Sequence, residues 1–309
     1  MEVFYIDKGT ISKKDKLKYY TLQFSRQIKY LGVLAAILTL AFDHRAFAWL
    51  SLLALFVIVE MALDFSLLKA ALFQYTAKLL NRFKPSPKAI SNDMIKTKTK
   101  FSLPFEGQWV VINGSYEKAQ SHSWGISPQR YAYDFIQLDE NPKSFKNDWS
   151  QMSDYYCYDE KILAPADGEV VKVYNKAQDS ILFKPGKFLS KSNHIAGNHI
   201  ILKHKAKEYT TLAHLKKDSI TVKKGDKVKR GQVIARCGNT GNSTEPHLHF
   251  QLQDHKSFFF SNGLPIEFQN IKLETINNYE AIDPRPKMAK KDLLEGYITR
   301  GYKVFNQES

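Results

Sequence analysis

Residues 238–252 read GNTGNSTEPHLHFQL, a run of small turn-forming residues followed by strict alternation. Gly, Asn, Ser and Thr cluster where the backbone needs positive φ or side-chain-to-backbone bonds, so the first half is a turn. In an extended chain His247, His249 and Gln251 share one face, while Leu248, Phe250 and Leu252 share the other. The apolar face can pack into a core and leave both imidazoles on the polar face. Two imidazoles at strand spacing suit a metal, or a metal plus a proton-transfer group. For an isolated H-x-H the alternative is a solvated polar face that happens to carry histidines.

The same kind of pattern extends upstream. FSLPFEGQWVVING (101–114), YAYDFIQL (131–138), GEVVKVYN (168–175), SILFKP (180–185), HIILKH (199–204), EYTTLAHL (208–215) and QVIARC (232–237) are short runs rich in Val, Ile, Tyr and Phe, separated by Gly, Asn, Asp and Pro. Close strands with polar turns and no helical period between them predict an antiparallel, mainly β domain over 101–270. Residues 271–309 form a C-terminal extension, Lys-rich and more helical from Asp283, ending in GYKVFN. Upstream, 69–100 reads as a helix giving way to a linker at KPSPK (84–88).

Before that linker the chain changes character. YLGVLAAILTLAF (30–42) and AFAWLSLLALFVIV (46–59) are apolar all round, as buried or lipid-facing helices are. Each uncharged run is about 20 Å long as a helix, against a bilayer core of roughly 30 Å. Residues 30–68 are therefore read as a hydrophobic membrane hairpin or a bent single anchor in the lipid bilayer, after a basic segment at 1–29. A hairpin buried in a soluble domain is the alternative. Basic residues flank the block on both sides, which pulls both ends towards the cytoplasm.

The 309 residues carry 45 Lys and Arg against 31 acids, a formal charge of +14 that suits an anionic partner. No basic segment shows the aromatic interleaving of a nucleic-acid platform, so surface polyanions are expected rather than nucleic acid. Cys157 and Cys237 are the only cysteines, which excludes a disulfide framework and any Cys-rich metal site.

Of nine histidines most need no function. His44 falls in the loop between the apolar runs, and His194, His199 and His204 surround one strand. His214 lies on the same strand face as Leu212, near a core edge or at a groove. His122 sits in a loop upstream of Asp134, itself an anion inside an apolar run. Such an anion is costly unless paired or bound to metal, so it joins the histidine pair, although a buried arginine would serve as well. A hydrolytic metal needs about three protein ligands and an open position, and His/carboxylate ligands without thiolate favour Zn²⁺.

Segments ILAPADGEVVKV (162–173), GNHIIL (197–202), TLAHL (211–215), ITVKKGDKVKRGQVIARCGNTGNS (220–243) and PHLHFQL (246–252) together resemble the M23 (LytM/lysostaphin-type) zinc metallopeptidases. The resemblance implies a groove formed by an antiparallel β-sheet, bound Zn²⁺, and hydrolysis of peptide bonds in bacterial cell-wall peptidoglycan. It further implies that His249 and Asp134 are zinc ligands and that His247 and His214 are catalytic. Many members place the first ligand histidine four residues before the aspartate, where this chain has Arg130. A guanidinium cannot deprotonate to bind zinc. His122 is the replacement, and Arg130 is expected to pair with an acid or contact substrate. The catalytic domain is expected outside the cytoplasm. The rival reading is an inert domain of the same type that binds wall peptides or activates another hydrolase.

Overall fold

Alternation becomes pairing in the computed structural model, which describes residues 11–42, 44–81, 97–121 and 123–307. The loop position of His122 and the expected linker at 84–88 lie outside the described residues. Two compact units divide the chain, Met1–Leu72 and Phe73–Ser309.

In the second unit the strands are β1 (Trp109–Asn113), β2 (Tyr133–Ile136), β3 (Lys161–Leu163), β4 (Gly168–Tyr174), β5 (Ile181–Lys184), β6 (Lys187–Leu189), β7 (Asn198–Lys205), β8 (Glu208–Leu215), β9 (Lys227–Val228), β10 (Val233–Arg236), β11 (Leu248–Gln253), β12 (Gly263–Leu264), β13 (Ile271–Thr275) and β14 (Tyr302–Asn306). Among the described residues, ten of them form one sheet in the order β13-β14-β1-β2-β11-β8-β7-β4-β9, with β12 beside β11. Its ladders are antiparallel, as the alternating pattern predicts. The chain is mainly β here, preceded by a helical region.

Period-two alternation gives the sheet two different faces. Tyr133, Phe135, Ile200, Leu202, Leu212, Leu248, Phe250 and Leu252 all join one buried apolar cluster with Trp109, Ile266 and Val304. Burying each such side chain contributes about 1.5–3 kcal/mol, so this face fixes the register of the strands. The opposite face carries Asp134, His249, Gln251, Gln253 and Thr211. The cross-strand pairs His249↔Asp134, His249↔Ala213 and Gln251↔Thr211 place them side by side.

Residues 283–301 do not form the helical segment that the lysine content suggested. Only one 3-10 turn, Lys290–Asp292, occurs there among the described residues. Pro284 and Pro286 lack the N–H a helix needs and explain the difference. The stretch crosses to β14, whose pairing with β1 adds the C-terminal residues to the sheet. Arg300, fully buried, holds this return with hydrogen bonds to Asp283 Oδ2 (2.7 Å) and the Pro286 carbonyl (2.6 Å).

The first unit is helical: α1 (Lys13–Phe42), α2 (Arg45–Ser51), a 3-10 turn at Leu52–Leu55, α3 (Phe56–Leu63) and the start of α4 (Phe65–Asn81). Ser12 Oγ caps α1 by accepting from the Asp15 N–H at 3.1 Å. His44, expected to be merely solvated, caps α2: its Nδ1 accepts from the Ala46 N–H at 3.2 Å. The chain then runs back along α1. A Cβ on Gly32 would lie 2.1 Å from the Ala54 nitrogen, so only glycine permits this backbone approach. Arg26 and Lys29 pair with Glu60, and Arg26 also with Asp64, which neutralises the two acids after the second apolar run. Among the described residues, apart from Val233, Ile282 and Leu294, the exposed large apolar side chains all lie between Leu17 and Leu79. Among the described residues one helix, Arg45–Leu63, is long and apolar enough by length and composition to cross a membrane.

Candidate active site

Asp134, His214, His247 and His249 converge on the polar face of the sheet, all four buried. His249 Nδ1 lies 2.9 Å from Asp134 Oδ1, and His247 Nε2 lies 3.7 Å from the same oxygen. The rings of His214 and His247 are 4.6 Å apart, and those of His214 and His249 5.8 Å. Ala213, directly opposite His249, leaves room for them.

His214 reaches this face by a break in the alternation. Two residues earlier Leu212 points into the apolar core, so regular spacing would send His214 there too. The register between β7 and β8 shifts where Ile200↔Leu212 gives way to Asn198↔Leu215, leaving one extra residue on β8. His214 takes φ +61° at this bulge, which turns its side chain to the opposite face. A left-handed non-glycine residue costs about 1–3 kcal/mol. Two hydrogen bonds offset that cost: the His214 N–H donates to the Ala196 carbonyl (3.0 Å) and Nδ1–H to the Thr240 carbonyl (2.7 Å). The glycine-rich turn read in the sequence places Thr240. Gly241 at φ +87° and Gly197 at φ +56° bring two backbones together so closely that a Cβ on Gly241 would sit 2.3 Å from the Gly197 nitrogen.

The neighbours of each ring decide which nitrogen keeps a lone pair. A carbonyl only accepts, so His214 carries its proton on Nδ1 and its lone pair on Nε2. His247 does the same: Nδ1–H faces the Glu245 carbonyl at 2.8 Å, and Ser243 Oγ, 3.0 Å from Nδ1, sends its own proton to that carbonyl. His249 is turned the other way round. Its Nε2 faces Gln251 Oε1 at 2.9 Å while Nδ1 faces the Asp134 carboxylate.

Burial pushes His214 well below the ordinary histidine value, and the neighbouring His247 and His249 push it further. It is therefore neutral at physiological pH, with its lone pair on Nε2. His249 moves the opposite way. Burial alone would lower it, but the hydrogen bond and charge of Asp134 outweigh burial and hold it above the ordinary value.

A neutral imidazole has one N–H, yet both nitrogens of His249 face acceptors. Either a second proton or a cation must lie between Nδ1 and Asp134. A carboxylate and an imidazole lone pair meeting at 2.9 Å are a hard and a borderline donor of the kind Zn²⁺ takes, so the residues fit that metal. Among the described residues no third carboxylate, thiolate or imidazole completes a ready-made ligand group, and position 122 lies outside them.

Arg130, expected to pair with an acid or contact substrate, meets no acid among the described residues. Its Nε donates to the Trp124 carbonyl at 3.2 Å, and its guanidinium lies 5.4 Å from the Trp124 ring centre. The residues missed in the sequence are Thr240, Ser243, Glu245 and the Gln251–Gln253 pair. Only the glutamines left a signal there, by sharing the His249 face.

Residues 154–261 match the family model described as Peptidase family M23. That segment, about a third of the chain, contains His214, His247 and His249, while Asp134 precedes it. The Peptidoglycan DD-endopeptidase ShyA of Vibrio cholerae is 45% identical over 112 residues, covering 36% of this chain and 24% of ShyA. Lysostaphin of Staphylococcus simulans is 46% identical over 61 residues, covering 19% of this chain and 12% of lysostaphin. The chain thus spans a quarter or less of the length of these relatives. A crystal structure described as a zinc containing peptidase from Vibrio cholerae is 25% identical, with a TM-score of 0.32, covering 50% of this chain and 36% of that one.

His194 and His199 stand apart from the four-residue cluster. His199 is fully buried and stacked on Tyr174, with ring centres 5.6 Å apart. Burial lowers it to about 3. Its folded value lies below the unfolded value of about 6.5, so the unfolded chain binds the extra proton first. The stability it contributes is present above pH 6.5 and is lost as pH falls towards 3, at up to about 1.4 kcal/mol per pH unit. Urea midpoints of the metal-free protein between pH 7 and 5 should therefore fall more steeply in wild type than in His199→Phe. Parallel profiles would show that His199 does not stay neutral when buried.

Proposed function

We propose that this chain is a membrane-anchored zinc metalloendopeptidase that cleaves peptide bonds of bacterial peptidoglycan. The observation that carries the reading is the gathering of His214, His247 and His249 beside Asp134, each ring with a specific acceptor on one nitrogen. The match of 154–261 to Peptidase family M23 and the likeness to a peptidoglycan endopeptidase support the substrate class.

Asp134 and His249, with His122 as third ligand, would hold Zn²⁺. When bound, the metal supplies a Lewis acid for the scissile carbonyl and lowers the pKa of water to about 7. The chain's own groups do the rest. With Nδ1–H on the Thr240 and Glu245 carbonyls, each ring presents its lone pair on Nε2, and either would take a proton from water and return it to the leaving amine. Their Nδ1–H bonds to Thr240 and Glu245 keep those lone pairs aimed into the site, so no reorientation is needed during turnover.

Release of new amino groups from purified peptidoglycan tests the assignment. Hydrolysis that stops on chelation and returns with zinc is expected. Binding to peptidoglycan with no amine released would favour the inert, binding-only alternative.

Residues 30–68 would hold the protein in the bilayer, supported by the apolar exposure of the first unit and by the Arg45–Leu63 helix. The domain beyond residue 100 would then face the wall, because long domains cross the membrane largely regardless of flanking charge. Protease added to cells stripped of their wall should digest that domain. Protection until the membrane is permeabilised would place it in the cytoplasm and remove it from its substrate.

A further inference from the structure

Three polar side chains behind His249, Thr211, Gln251 and Gln253, form a directed network of hydrogen bonds, and its direction can be traced from a fixed end. Gln253 Nε2 faces the backbone carbonyls of His255 (2.7 Å) and Ser257 (3.2 Å). Carbonyls only accept, so the amide of Gln253 has one possible orientation, with Oε1 pointing the other way. That oxygen accepts from Thr211 Oγ at 3.1 Å and from Gln251 Nε2. Gln251 is thereby fixed in turn, and its Oε1 must face His249 Nε2, 2.9 Å away. An amide oxygen cannot donate, so the proton of His249 belongs on Nε2. Thr211, Gln251 and Gln253 are fully buried, leaving no room for the amides to turn over and bond to solvent instead.

We propose that this Thr211–Gln253–Gln251 relay makes His249 an Nδ1 ligand, with Gln251 as the positioning residue. It sets the tautomer and the ring plane, so that the lone pair shared with Asp134 is available to a divalent cation before the cation arrives. The proposal rests on the zinc reading above and adds the device that selects which nitrogen binds. The relay starts at the backbone of residues 255–257, so the turn after β11 is built into the ligand's orientation.

The same nitrogen could be selected by the Asp134 contact alone, and variants at Gln251 separate the two. Gln251→Met keeps the length and removes the acceptor; Gln251→Glu keeps an oxygen facing Nε2. Zinc affinity of the full chain in detergent is measured by competition with a chromophoric chelator, and the urea midpoint is read on the metal-free forms. The expected result is zinc binding weakened about 10–100-fold in Gln251→Met, the usual scale for groups that orient a ligand, with Gln251→Glu recovering most of the loss. The metal-free midpoints of the two variants should differ far less than their affinities. Equal affinity in wild type and Gln251→Met overturns the relay. So does a Glu variant as weak as the Met variant.

Should Gln251→Met fail to fold, the wild type still tests which nitrogen the relay selects. Nitrogen NMR of the zinc-loaded chain with labelled histidine is expected to show His249 protonated at Nε2 and ligated through Nδ1. Ligation through Nε2 overturns the proposal. A wild-type chain that binds no zinc overturns the reading beneath it instead, which is a different result from zinc bound equally well by all three forms.

Discussion

Replacing His249 or Asp134 with alanine should empty the metal site and end peptide release. Zinc bound at three or four ligand positions in structural sites is worth about 10–16 kcal/mol, or roughly 3–5 kcal/mol per ligand. Losing one ligand should then weaken binding by roughly 10²–10⁴-fold, enough to strip the metal during purification. The structure adds a reason why these two fail together. Asp134 Oδ1 and His249 Nδ1 face each other at 2.9 Å, so removing either takes this buried contact from the other. His122→Ala should behave the same way, and Arg130→Ala should keep its zinc, because Arg130 is engaged with Trp124. Metal analysis of the purified variants checks all four. Equal zinc in wild type and His249→Ala would sink the ligand assignment, and full retention by His122→Ala would require another third ligand.

The second large effect separates binding from chemistry. His214→Ala and His247→Ala should keep about the wild-type zinc content yet lose activity on purified peptidoglycan by about 10²-fold or more, the scale of a single proton-transfer or oxyanion group. Both rings keep an Nε2 lone pair free through their Nδ1–H bonds, and burial holds His214 neutral at working pH. His214 should be the more damaging to replace for stability as well as rate, because its φ of +61° is maintained by the two hydrogen bonds its backbone and ring make. If either substitution instead empties the site, that histidine is a ligand rather than a proton carrier.

Much of the fold was legible in the sequence because it depends on local alternation. His247, Leu248, His249, Phe250, Gln251 and Leu252 occupy the two faces that a period of two assigns them, and Asp134 inside YAYDF stands out by its cost there. The bulge at His214 was not legible. A register shift depends on the partner strand, and period two alone puts His214 on the face of Leu212, near a core edge or at a groove. Thr240 and Glu245 act through backbone carbonyls, which every residue has, so no residue type could mark them. The return of β14 to β1 joins residues about 190 positions apart and has no local signal. Residues 283–301 depart from the helical expectation because Pro284 and Pro286 outweigh the lysine content there.

A cation held by Asp134 and His249 would make this cluster a peptidase. The most direct test is zinc titration of the metal-stripped wild-type chain, with amine release from purified peptidoglycan followed at each step. No release is expected without metal, then a rise that saturates near one equivalent of zinc per chain. Undiminished release from the stripped protein, or none when one zinc is bound, would contradict it.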